Sequence, residues 1–311
     1  MLTYLIILLD DTCTSYCHYE VNQKGRRLIC LEDLKAGVKF AMKENLNVQF
    51  VYPNYELPEE YLEVIDSIDH TDIKPITLGD EADVLVQNGW EGCVPKGSTC
   101  IIHSTRKQLA EHLSTIREWL VVVERLNVVL TDIVEFNNAD IESYKATLDS
   151  LTDIVFEHYQ QGKTIQLNLL TDRLILDKMN NCNAGEQSIT MAPNGIFYLC
   201  PAFYYEDELQ SVGDLNTGLD IKNPQLLHID HAPICRACDA YQCRRCVWMN
   251  GRLTGDMNTP SYQQCVLAHL ERNAARSLQQ KMEKAGIHIE HSKQIEEIDY
   301  IDPFNIVNKW K

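Results

Sequence analysis

The run "CRACDAYQCRRC" sets Cys235, Cys238, Cys243 and Cys246 in a C-x2-C-x4-C-x2-C pattern, and Cys265 follows after eighteen intervening residues. A C-x2-C knuckle turns two thiolates of one tight bend toward a common point, and two knuckles suffice for a tetrahedral zinc site or for an iron–sulfur cluster. Four cysteines at this density read as metal ligands rather than as scattered core thiols. Arg236, Arg244, Arg245 and Arg252 flank them and would offset thiolate charge, unless they are simply solvated. Upstream, "CNAGEQSITMAPNGIFYLC" places Cys182 and Cys200 on either side of Asn194-Gly195. That dipeptide is a hairpin signal, and a hairpin here would carry its flanking cysteines toward one end.

A second thiol pair lies near the start, in "LLDDTCTSYCHYE". Cys13 and Cys17 are spaced C-x3-C, and Glu20 stands where a third cysteine would complete C-x3-C-x2-C. A carboxylate is a hard ligand and suits a thiolate cluster poorly. Adjacent Cys17 and His18 cannot easily aim at one metal, so a mononuclear Cys13–Cys17–His18–Glu20 site is the weaker option, and two thiols beside a substrate cleft the stronger one.

The remaining candidates are plainer. Cys93 and Cys100 flank the Pro-Lys-Gly turn of "GCVPKGSTC", with Cys100 expected in a buried strand. Cys30 opens a helix and is expected in the core. Asp10, Asp11, His103 and Asp132 fall at the C-terminal ends of expected strands, where barrel chemistry gathers. The same positions also favour helix caps and solvated polar groups. "GKTIQ" lacks the upstream glycine of a phosphate loop.

These residues need elements to hold them. From residue 1 to about 170, short β-rich runs alternate with longer helical ones. Strands are predicted at "TYLIILL", "NVQFVYP", "IKPIT", "TCIIHS", "LNVVLTD" and "IQLNLL", with "ADVLVQNG" as a candidate extra strand. Helices are predicted at "LEDLKAGVKFAMKENL", "LPEEYLEVIDSI", "RKQLAEHLSTIREWLVVVERL" and "DIESYKATLDSLTDIVFEHYQQG". Alternation of this kind gives βα units on a parallel sheet. Six strands fall short of the complete eight-stranded barrel, which takes about 250 residues. A partial barrel or an open doubly wound sheet fits. Residues 180–260 are rich in Cys, Asn, Gly and Pro, and such a segment folds on metal ligation more readily than on apolar burial. A long helix, "SYQQCVLAHLERNAARSLQQKMEKAG", follows, with Gly286 as its stop.

The net charge of −17 argues against nucleic acid and anionic membrane as partners and is compatible with a cationic peptide. The apolar start has no basic flank or cleavage site, and no run approaches the roughly 20 apolar residues of a membrane span. A cytoplasmic location is expected, where the twelve cysteines stay reduced.

The C-x(9–15)-G-x4-C spacing from Cys182 to Cys200, the knuckles and the distal Cys265 together resemble the SPASM domain of radical SAM peptide and protein maturases. "NGIFYLCPAF" and "SVGDLN" are similar to its hairpin and following turn. The resemblance implies auxiliary [4Fe–4S] clusters, one held by Cys235, Cys238, Cys243 and Cys265, a second one drawing on Cys182, Cys200 and Cys246. The knuckle spacing departs from the usual C-x2-C-x5-C-x3-C, and no extra cysteine precedes Cys182, so the count is one or two clusters. The opening "TYLIILL" followed by Cys13 and Cys17 resembles the radical SAM cluster loop, which implies a partial (β/α)6 TIM-like barrel. Glu20 replaces its third cysteine. The Gly-Gly-Glu segment that holds S-adenosylmethionine should fall near "VYPNYELPEE", which has no glycine and offers only Glu56. Both departures argue against ordinary cleavage of S-adenosylmethionine.

Along most of its length the chain is similar to the CXXX repeat peptide maturases, on "YLIILLDDT…CHYE", "FAMKENLNVQFVYPNYELPEEY" and "CDAYQCRRCVWMN". That resemblance implies a barrel over 1–178, a SPASM iron–sulfur domain over 179–270, and a helix end and tail over 271–311. It further implies maturation of a short ribosomal precursor peptide with Cys repeats, with or without a companion modification protein. A binding protein of the same fold that does not use S-adenosylmethionine, and a structural zinc protein, are the alternatives.

Overall fold

The computed structural model describes residues 2–14, 16–17, 25–79, 81–180, 182–243 and 245–295. His18, Glu20 and Arg244, singled out from the sequence, lie outside them.

The strands are β1 (Tyr4–Leu8), β2 (Asn47–Val51), β3 (His70–Pro75), β4 (Val84–Asn88), β5 (Thr99–Ser104), β6 (Arg125–Leu130), β7 (Ser188–Met191) and β8 (Phe197–Tyr198). The helices are α1 (Leu31–Glu44), α2 (Glu59–Ile65), α3 (Arg106–Glu111), α4 (Leu113–Trp119), α5 (Asn138–Gln160), α6 (Asp172–Ile175), α7 (Pro201–Glu206), α8 (Val247–Thr254) and α9 (Tyr262–Lys284). The chain divides into two compact units, residues 1–87 with 183–228, and residues 88–182 with 229–311.

In the first unit the strands run β4-β3-β2-β1-β7-β8, parallel except for the final β7–β8 hairpin. Four of the five residues of β1, Leu5 to Leu8, are buried, as expected of a strand covered on both faces. Its partners are fixed in register, Leu5 opposite Val48 of β2 and Ile189 of β7. α1 lays Leu34, Gly37, Val38 and Ala41 against this sheet, the i, i+3, i+4, i+7 stripe of an amphipathic helix. A Cβ on Gly37 would stand 2.3 Å from Met191 Cε, so glycine sets how closely α1 approaches β7. The predicted Asn194-Gly195 turn closes the β7–β8 hairpin, with Gly195 at φ +75° and its N–H donating to Ala192 O at 2.9 Å.

In the second unit β5 and β6 pair in parallel from Thr99↔Arg125 to Ser104↔Leu130, and α5 packs along α9. Tyr144 of α5 donates to Glu271 Oε1 of α9 at 2.7 Å inside that packing. Both long helices start with a reciprocal cap, Asn137 with Asp140 and Ser261 with Gln264. α9 stops where expected, with Gly286 left-handed at φ +70°.

Three local expectations are corrected. The helix predicted over 106–126 is two short ones that break at His112 and end at Trp119. The His112 ring and backbone N–H both bond Gln108 O, which closes α3, and the β-branched run Val121–Val123 does not extend α4. The strand predicted at "IQLNLL" is a single bridge, Leu126↔Leu167, followed by a turn. Asn168 explains it: its Oδ1 accepts from Val128 N at 2.8 Å and its Nδ2 donates to Val128 O at 3.0 Å. A side-chain amide thus replaces the next rung of the ladder, while Thr171 Oγ1 caps the turn at Leu167 N. Cys30 is exposed rather than core, because its sulfur serves as the N-cap of α1 and accepts from Asp33 N.

Among the described residues no helix is long and apolar enough to cross a membrane.

Candidate metal centre

The knuckle cysteines come from the second unit. Cys235 opens a one-turn 3-10 segment, and Cys238 follows it with its N–H donating to Cys235 O at 3.1 Å. Cys238 Sγ in turn accepts from Ala240 N at 3.4 Å. Cys265 stands in the first turn of α9, whose start is fixed by the Ser261–Gln264 cap. Gln264 Nε2 also donates to Asn250 Oδ1 of α8, so the two helices that frame the thiols are tied together.

Cys235, Cys238, Cys243 and Cys265 lie within electrostatic reach of one another. Loss of solvent pushes every one of these thiols above its ordinary value, Cys238 to about 11 and Cys265 to about 12. Mutual repulsion adds to this: Cys243 is raised further by Cys235, Cys238 and Cys265, and Cys265 by Cys235 and Cys238. Thiols crowded in this way are protonated without a metal and give up protons to bind one. Two guanidiniums oppose the trend, Arg245 at Cys235 and Arg272 at Cys238. Among the described residues no three of these sulfurs lie within 4.8 Å of one another. A zinc tetrahedron with Zn–S near 2.3 Å would hold them roughly 3.8 Å apart.

Of the other predicted ligands, Cys246 is buried and caps α8, accepting from Met249 N at 3.5 Å. Cys182 is exposed. Cys200, in the first unit, is buried and precedes α7. Among the flanking arginines, Arg245 is buried and donates to Asn258 Oδ1 at 2.7 Å, and Arg252 stands 5.3 Å over the Trp248 ring.

Sequence reasoning missed the polar group beside Cys238. Asp239 is buried and pairs with Arg272, also buried, at 2.7 Å. His269 Nε2 lies 3.9 Å from Cys238 Sγ. Cys265, His269 and Arg272 fall at i, i+4 and i+7 of α9, so helical spacing from a known cysteine could have found them.

In the first unit the loop after β1 is organised differently. Cys13 is buried, its thiol donating to Val51 O at 2.8 Å and accepting from Asp10 N at 3.2 Å. Burial drives its ionisation far above the ordinary thiol range. Cys17 is half-buried. Asp10 accepts from Thr12 N and Oγ1 and from Tyr55 OH at 2.8 Å, and Asp11 accepts from Tyr204 OH. Arg26 stands 3.8 Å over the Tyr55 ring. The stretch expected to hold S-adenosylmethionine therefore presents a tyrosine tied to Asp10. A thiol already spent on a backbone carbonyl does not fit a cluster ligand. Asp132 binds Arg106 N and Nη1 at the start of α3, a structural role. His103 bonds Asn88 Oδ1 at 2.7 Å.

No family model and no curated protein matches the chain. Solved structures do, and they show its fold, a mixed α/β architecture consistent with a partial TIM-like barrel. The structure of polyhistidine-tagged anSMEcpe with bound AdoMet, an anaerobic sulfatase-maturating radical SAM/SPASM enzyme, superposes with a TM-score of 0.61 at 13% identity, covering 93% of this chain and 96% of that one. Native anSMEcpe with AdoMet and the Cp18Cys peptide gives 0.55 at 14% identity, and the form with the Kp18Cys peptide gives 0.55 at 13%. Each covers 91% of this chain and 99% of the other. At such identities the likeness is one of fold.

Proposed function

We propose that the chain is a radical-SAM/SPASM-like maturase that acts on a short, ribosomally made peptide with Cys repeats. The observation that carries this is the gathering of Cys235, Cys238, Cys243 and Cys265 at one desolvated spot, on a fold shared with peptide-modifying enzymes. These four thiols would hold one auxiliary [4Fe–4S] cluster, which supplies a site for electron transfer or for a substrate thiolate. The residues around these thiols act on charge and water: Arg245 and Arg272 offset thiolate charge, and α8 and α9 exclude solvent. The net charge of −17 favours a cationic peptide, and the proposed location is the cytoplasm.

One observation favours a second form of this function. Cys13 is committed to Val51 O and Tyr55 to Asp10, so the protein would hold the precursor or a companion modification protein without cleaving S-adenosylmethionine.

Anaerobic reconstitution followed by iron, sulfide and zinc analysis, with electron paramagnetic resonance spectra taken with and without S-adenosylmethionine, separates the readings. Iron with sulfide and a signal perturbed by S-adenosylmethionine supports the enzyme. Clusters indifferent to it support the binding protein, and zinc without sulfide overturns both.

A further inference from the structure

Cys238 Sγ, a carboxylate oxygen of Asp239 and a ring nitrogen of His269 all lie within 4.8 Å of one another. Asp239 and His269 are each only 3% exposed. One proton of His269 follows from its partner: Nδ1 lies 2.9 Å from the Cys265 carbonyl, which can only accept, so Nδ1 carries a proton and, in the neutral ring that a metal requires, Nε2 is the ligating nitrogen. That nitrogen stands 3.9 Å from Cys238 Sγ. Asp239 uses Oδ2 for Arg272, while its buried Oδ1 accepts no hydrogen bond. A buried carboxylate oxygen without a donor is costly unless something positive reaches it.

The supports match those of metal ligands. A ligating histidine generally donates its other ring N–H to a carbonyl or carboxylate, and a ligating carboxylate is itself held by a hydrogen-bond donor. Cys265 O and Arg272 supply these two contacts here. The separation fits a single ion: with Zn–S near 2.3 Å and Zn–N about 2.0–2.1 Å, both atoms reach one centre 3.9 Å apart at an open tetrahedral angle.

We infer that, in protein that carries no cluster, Cys238, Asp239 and His269 form a site for one divalent cation of borderline softness, zinc or ferrous iron, with its fourth position left to solvent or a substrate atom. The inference rests on the metal-binding reading of the Cys-rich segment and reassigns one of its ligands. Cys238 cannot serve a mononuclear ion and the terminal iron of a cluster at once, so the two fillings exclude each other through this thiol. Binding releases the Cys238 proton to solvent and changes no oxidation state.

Cobalt(II) is the probe. Metal-free protein, kept anaerobic, is titrated with Co2+ and followed by visible absorption. One equivalent with four-coordinate ligand-field bands and a single-thiolate charge-transfer band is expected. His269→Ala should abolish that spectrum, and added imidazole should restore it. Cys235→Ala and Cys265→Ala should leave it in place. An unchanged spectrum in His269→Ala, or its loss in Cys235→Ala, would overturn the site and put the ion among the thiols. Should His269→Ala not fold, X-ray absorption on the zinc-loaded natural protein decides: one sulfur with nitrogen and oxygen supports the site, and three or four sulfurs refute it. Sulfide content after iron reconstitution reports the cluster separately, since His269→Ala should leave it intact.

Discussion

Arg272 Nη1 meets Asp239 Oδ2 at 2.7 Å with both side chains out of solvent, and Arg173 Nε donates to the Asp239 carbonyl at 2.9 Å. Two guanidiniums thus converge on the residue that follows Cys238. Removing one member of a buried ion pair strands the other, which typically costs about 3–5 kcal/mol. Asp239→Ala should therefore lower the unfolding free energy of the metal-free protein, read by urea titration, by that order, whereas Asp230→Ala, at an exposed position, should leave it nearly unchanged.

The Asn168 amide satisfies both backbone groups of buried Val128. Asn168→Ala would leave a buried N–H and C=O without partners, each costing about 1–3 kcal/mol if water does not replace the amide. The loss should appear in chemical denaturation, and Asn168→Asp, which can still accept from Val128 N but cannot donate to Val128 O, should recover only part of it.

Buried thiols set a pH dependence. Cys238 titrates at about 11 and Cys265 at about 12 in the metal-free fold, against 9.0 for an exposed thiol, because burial disfavours their charged forms. Above pH 9 the unfolded chain has released protons that the folded chain still holds, so stability falls as pH rises. The metal-free protein should hold a constant thermal midpoint up to about pH 8 and lose it progressively from there to about pH 12. A midpoint that rose across this range would contradict the burial of these thiols.

Cys13 offers a direct test of the loop after β1. Serine can repeat its donation to Val51 O, so Cys13→Ser should keep the fold. Iron and sulfide taken up on reconstitution should also match the natural protein, while Cys235→Ala and Cys243→Ala should cut both. Loss of iron in Cys13→Ser would return the loop to the role of a cluster site.

The alternation of strands and helices was legible because β1, β2, β5 and β6 are rich in apolar residues and the long helices carry caps and stripes. "IQLNLL" misled because its apolar residues do bury, while the deciding feature, one asparagine imitating a peptide group, leaves no periodic trace. Cys30 misled for a related reason, a sulfur standing in for a capping oxygen. The thiol set was visible because knuckle spacing is local. Asp239, His269 and Arg272 were not, since their meeting depends on how α9 packs beside a loop some thirty residues earlier.

The same Asn168 has a consequence for the chain in company. β6 borders the strands of its unit, and a bare parallel strand offers a row of amides and carbonyls to any extended segment that approaches. Gln166 and Asn168 occupy the Leu126 and Val128 rungs, one through its backbone and one mainly through its side chain. Such a mixed border has no repeating pattern for another strand to continue, so it blunts strand-to-strand pairing at that edge.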